Sequence, residues 1–98
     1  MSEEPVYESE FVVRNELGLH ARPAGRFVAL AARFESRISV GRDDEWVDGQ
    51  SILSLLSLAA GRGVVLRIRA EGPDAASAVG ALGALLEQHS EDAGPGVS

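Results

Sequence analysis

The sequence predicts an α+β fold, an open-faced β-sandwich with a four-stranded sheet and three helices on one face. Stretches that alternate apolar and polar residues mark strands, and stretches with apolar residues at three- and four-residue steps mark helices. They follow one another in the order β-α-β-β-α-β-α with short connections, which lets every helix fall on the same side of one sheet. The chain has 98 residues, 45% hydrophobic and 24% charged, as expected of a single folded domain rather than a disordered segment. The core is expected over about residues 6–88. Residues 1–5 and 89–98 have no periodicity and are expected to fray.

The first strand is expected over residues 6–14, where Tyr7, Ser9, Phe11 and Val13 alternate with Glu8, Glu10, Val12 and Arg14 in a half-buried pattern. Asn15, Glu16, Leu17 and Gly18 interrupt it as loop formers. A helix should start at Ala21 or Arg22, because Pro23 suits a first helical turn, where its missing N–H leaves nothing unpaired. Ala24, Phe27, Val28, Ala31 and Phe34 give that helix one buried stripe, reaching to about Phe34. Over residues 36–40, Ile38 and Val40 turn inward and Arg37 and Ser39 outward. Gly41 to Asp44 then supply turn residues before Trp46 and Val47, which predicts a hairpin.

Ser51 suits the N-cap of a short helix to about Leu58, since its hydroxyl can accept from an otherwise orphan backbone N–H; Gly61 and Gly63 should end it. Val64, Leu66, Ile68 and Ala70 alternate with Val65, Arg67 and Arg69 as a further strand. Gly72-Pro73-Asp74 opens the last helix, with Asp74 as its N-cap and Ala75, Ala78, Val79, Leu82, Leu85 and Leu86 on its buried side. Gly80 and Gly83 inside that helix each cost up to about 1 kcal/mol against Ala. They mark either close packing or a weak helix.

Composition narrows the function. The chain has no cysteine, which excludes disulfides, thiol nucleophiles and cysteine-bound metals, and its two histidines, His20 and His89, are far apart, so no metal site is expected. A net charge of −6 argues against binding nucleic acid, which needs clustered Lys and Arg. Glu3, Glu4, Glu8 and Glu10 reverse the charge order of a signal peptide, and no stretch approaches the ~20 apolar residues of a membrane span. A cytoplasmic protein with protein partners is expected.

The candidate site is Gly18-Leu19-His20-Ala21-Arg22-Pro23-Ala24. It places an imidazole just before a helix N-terminus, where N–H donors and the positive end of the helix dipole favour an anion, and a guanidinium two residues on, whose planar fork matches phosphate oxygens. Histidine suits a phosphoryl carrier because a ring nitrogen is available near neutral pH and the P–N bond is labile enough to pass on. The same residues also fit a bland reading, with His20 a polar loop residue and Arg22 a solvated charge. No paired acid and base is evident, which argues against an independent enzyme.

GLHARPA followed by an amphipathic helix, together with Gln50-Ser51-Ile52-Leu53-Ser54-Leu55-Leu56-Ser57-Leu58, resembles the HPr family, the histidine phosphocarriers of the bacterial phosphoenolpyruvate-dependent sugar phosphotransferase system. The likeness runs from about Tyr7 to Gln88. It implies that His20 receives phosphate on Nδ1 from Enzyme I and passes it to sugar-specific Enzyme II A components, with Arg22 stabilising the phosphoryl group and no cofactor. It implies that Ser51 is the serine a dedicated kinase phosphorylates in some bacteria, beside its reading as an N-cap and nothing else. Ile52, Leu53 and Leu56 match an apolar patch that docks on partners, while Leu55 and Leu58 are expected in the core. A phosphocarrier and monomer, not an enzyme, is implied. Ala29, Ala32 and Ser54 stand where family members often carry lysines, and Arg26 and Arg33 supply part of that charge. Two other functions remain open: a regulatory paralogue of the nitrogen-related branch, which would use the same histidine, and a non-catalytic binding module, which would take no covalent phosphate.

Overall fold

The structure, a computed structural model, describes residues 4–89; residues 1–3 and 90–98, which include most of the ends expected to fray, lie outside the described residues. Its elements are β1 (Val6–Val12), α1 (Ala21–Ala31), β2 (Arg37–Arg42), β3 (Glu45–Asp48), α2 (Ile52–Ser57), β4 (Val65–Glu71) and α3 (Ala75–Leu86). The four strands form one antiparallel sheet in the order β1-β4-β2-β3. Alternation decides which side each strand residue takes. Leu66, Ile68 and Ala70 of β4 and Ile38 and Val40 of β2 are buried, whereas Arg69 and Arg37 are exposed. Among the described residues no helix is long and apolar enough to cross a membrane.

The core lies between the sheet and the helices. Ala24, Phe27 and Ala31 of α1, Leu55 of α2, and Ala78, Val79, Leu82 and Leu86 of α3 meet the inward side chains of β2 and β4 in one apolar cluster. The expected stripes of α1 and α3 are therefore the buried ones, with Val28, Phe34 and Leu85 partly buried at its margin.

Several boundaries differ from expectation. Strand β1 ends at Val12 rather than Arg14, although Val13 still donates its N–H to the carbonyl of Val64, the residue before β4, at 2.9 Å. Tyr7, placed by alternation on the inner face, is half exposed, on the strand that forms one edge of the sheet. Helix α1 stops at Ala31, and Phe34 joins the core from the following turn. Gly41 and Arg42 belong to β2, so the hairpin turns on Asp43 and Asp44 alone, with Asp43 at φ +54°. Helix α2 ends at Ser57, ahead of both glycines, and its exit residue in the left-handed region is Ala59, at φ +50°.

Helix α3 departs from expectation in two ways. Asp74 precedes it, but its carboxylate does not cap it; it accepts instead from the Ser36 hydroxyl at 2.6 Å and from the N–H groups of Glu35 and Ser36 at 2.9 and 3.0 Å. These bonds, the Ser36 hydroxyl foremost, hold its carboxyl below the ordinary carboxylate range. The two interior glycines also separate. A Cβ on Gly80 would meet open space, whereas one on Gly83 would fall into the Phe11 ring of β1. Gly83 is thus a close-packing position and Gly80 only a weak point in the helix.

Candidate functional site

The loop between β1 and α1 is shaped by Asn15 and Gly18. The Asn15 side-chain oxygen accepts from the Leu17 N–H at 2.9 Å and its carbonyl from the Gly18 N–H at 2.9 Å, closing a tight turn. Gly18 sits at φ +75°, and a Cβ there would lie 2.6 Å from the Ala60 carbonyl oxygen. Only glycine satisfies both the positive φ and the close approach. The next residue, Leu19, is buried and donates its N–H to that same Ala60 carbonyl at 2.8 Å. The entry to α1 is thereby fastened to the chain leaving α2.

His20 is the N-cap of α1, in extended backbone at φ −90° and ψ −169°, and its carbonyl accepts the first helical bond from the Ala24 N–H at 3.0 Å. Its side chain does not cap the helix, and the first turn carries no acidic residue. The imidazole is half buried rather than fully exposed as a loop residue would be, with Nε2 shielded from solvent. Arg22 stands exposed in the first turn of α1, and Pro23 behind it is buried. One helix end therefore carries a histidine, a guanidinium and the positive pole of a helix dipole, an arrangement that favours a dianion on the outward side of the ring.

Helix α2 lies alongside α1. Ile52 Cδ1 comes 4.0 Å from the position a Cβ on Gly25 would take. Ile52 and Leu53 are 41% and 80% exposed, whereas Leu56 is partly buried and packs on the core beside the fully buried Leu55. Ser51 accepts the Ser54 N–H on its Oγ at 3.2 Å, so it caps α2 as expected from its position. Leu17, read from the sequence only as part of a loop, is 75% exposed three residues before His20. An apolar residue at the tip of a polar turn is the signal that could have singled it out.

Residues 7–88 match the family model described as the PTS HPr component phosphorylation site. The chain belongs to the HPr family. It is 40% identical over 84 residues to the phosphocarrier protein HPr of Pseudomonas aeruginosa, an alignment covering 85% of this chain and 93% of the relative. To the HPr of Treponema pallidum it is 40% identical over 80 residues, covering 82% and 91%. Among solved structures, the HPr of Bacillus anthracis superposes with a TM-score of 0.80 at 38% identity, covering 83% of this chain and 96% of that one. As an HPr-family member the chain is a phosphocarrier of the phosphotransferase system rather than an enzyme, and the open-faced sandwich expected from its sequence is the fold of its structural relatives.

Proposed function

We propose that His20 is the residue that carries the phosphoryl group, taking it from Enzyme I and giving it to sugar-specific Enzyme II A components in the cytoplasm, with the chain acting as a single-domain monomer. The observation that carries this reading is the position of His20 as N-cap of α1 with Arg22 in the first turn. Because Nε2 is turned away from solvent, Nδ1 is the nitrogen that attacks phosphorus. As the N–P bond forms, the bond from phosphorus to the donor breaks; the reverse exchange delivers the group to the acceptor. Arg22 and the helix end stabilise negative charge on the equatorial oxygens during transfer.

Leu53 and Ile52, backed by Leu56 and joined by the exposed Leu17 three residues before His20, form the apolar docking surface in this reading. Ser51, at the start of α2, is where a serine kinase would place a second phosphate that hinders docking. The decisive experiment incubates the protein with Enzyme I and phosphoenolpyruvate and measures its mass under alkaline conditions. Gain of one phosphoryl group, lost in acid and absent from His20→Ala, is the expected result; a His20→Ala variant that still gains it would refute the assignment. Arg22→Ala should accept the group more slowly while folding normally.

A further inference from the structure

The end of α2 is held from the neighbouring hairpin. Helix α2 has six residues and no basic side chain in its last turn, so its terminal carbonyls lack the local cation that often satisfies a helix end. Arg42, the last residue of β2, supplies it: one guanidinium nitrogen, Nη1, donates to the carbonyls of both Leu58 and Ala59 at 2.9 Å. The next carbonyl along, that of Ala60, accepts the Leu19 N–H at 2.8 Å, and Leu19 immediately precedes His20. Three successive carbonyls are thus gripped in turn, two by Arg42 and one by the loop that presents the histidine. Asp43, whose carboxylate lies 4.0 Å from the Arg42 guanidinium, is solvent-exposed and competes weakly for it.

We infer that Arg42 is a positioning residue for phosphoryl transfer: by fixing the carbonyls of Leu58 and Ala59 it sets the segment on which the His20 loop hangs and the end of the helix that presents Ile52 and Leu53. The inference rests on His20 being the acceptor. Arg42 lies outside the first turn of α1 and outside the docking residues, so it acts through the backbone. Hydrogen bonds from a charged donor are shorter and stronger than neutral ones, and a helix end leaves carbonyls without intrahelical partners for them to satisfy.

The test compares Arg42→Gln and Arg42→Lys with the native protein by amide hydrogen exchange and by transfer kinetics with Enzyme I. In Arg42→Gln the Leu19 amide should exchange about tenfold faster while Ile68 in the central strand β4 keeps its protection, since a local opening exposes one segment without unfolding the sheet. Its kcat/KM should fall about three- to tenfold, less than the full worth of a charged hydrogen bond because Arg42 reaches His20 only through the backbone, and Arg42→Lys, which keeps the charge, should recover part of both. Leu19 protection unchanged in Arg42→Gln, or lost only in step with Ile68, would overturn the inference, as would native kinetics in a variant whose Leu19 amide has been freed. Failure of the native protein to gain phosphate on His20 would instead refute the acceptor assignment and would leave the exchange result readable by itself.

Discussion

Alanine at Gly80 and alanine at Gly83 should change stability in opposite directions, although the two positions lie three residues apart in α3. At Gly80 the new methyl meets open space, so the only term is helix propensity and the reduced freedom of the unfolded chain, a gain of about 0.5–1 kcal/mol. For a domain of this size that raises Tm by about 2–8 °C. At Gly83 the same gain applies, but the methyl would occupy the space of the Phe11 ring, which is packed against the core and cannot stay where it is. Overpacking of this kind costs about 1–3 kcal/mol, and with a Cβ this deep in the ring the upper half of that range outweighs propensity, for a net loss of up to about 2.5 kcal/mol. Thermal unfolding followed by circular dichroism measures both. Phe11→Leu supplies the cycle: if the clash is with the ring, Gly83→Ala should cost clearly less in that background, with a coupling of about 1 kcal/mol. A Gly83→Ala variant as stable as Gly80→Ala would refute the packing argument.

Three further outcomes are expected. Leu53→Glu and Leu17→Ser should each raise the KM for Enzyme I while moving stability by less than about 0.5 kcal/mol, as surface changes do, whereas Leu55→Ala, two residues on and on the buried face of the same helix, should cost about 2–5 kcal/mol; urea titration beside transfer kinetics separates the two, and unfolding of Leu53→Glu would place that residue in the core. Ser51→Asp and Ser51→Asn both keep an N-cap oxygen, so slower phosphorylation of His20 in the aspartate variant alone would isolate the effect of charge, and equal rates would leave Ser51 as a cap. The depressed pKa of Asp74 means its contribution to stability is complete above the unfolded value of about 3.9 and is lost as pH falls through the lower folded value. Urea midpoints should therefore separate the native protein from Asp74→Asn at pH 7 and bring them together in acid; a gap that persists at low pH would show that charge on Asp74 is not what matters.

The elements were legible because burial is periodic. Alternation in Leu66, Ile68 and Ala70 and the helical spacing of Ala24, Phe27 and Ala31 report the faces that meet in the core, and those are the residues buried there. The N-cap at Ser51 was legible as well, since the donor it accepts from, the Ser54 N–H, is three residues away along the chain. Ends were read less well. Phe34 continues the spacing of α1 but packs from a turn after the helix has stopped, because an apolar residue needs only to reach the core, not to remain helical.

Long-range polar contacts carry no such period. Asp74 stands where an N-cap belongs, yet its two oxygens are taken by Glu35 and Ser36, about forty residues earlier in the chain, because the turn after α1 brings donors closer to hand than the first turn of α3 does. The sequence marks Arg42 as a turn residue, and nothing in its neighbours Gly41 and Asp43 points to the end of α2. In both cases the sequence displays a group able to make strong hydrogen bonds, and the choice of partner falls to whichever backbone groups the fold leaves unsatisfied nearby. The two differ in what hangs on that choice. Asp74 ties the turn after α1 to the start of α3, at the opposite end of α1 from His20, while Arg42 holds the carbonyls next to the one that anchors Leu19. Two hydrogen bonds from one side chain at a hairpin end therefore bear on how the histidine is presented, even though the histidine's own motif is local and readable by eye.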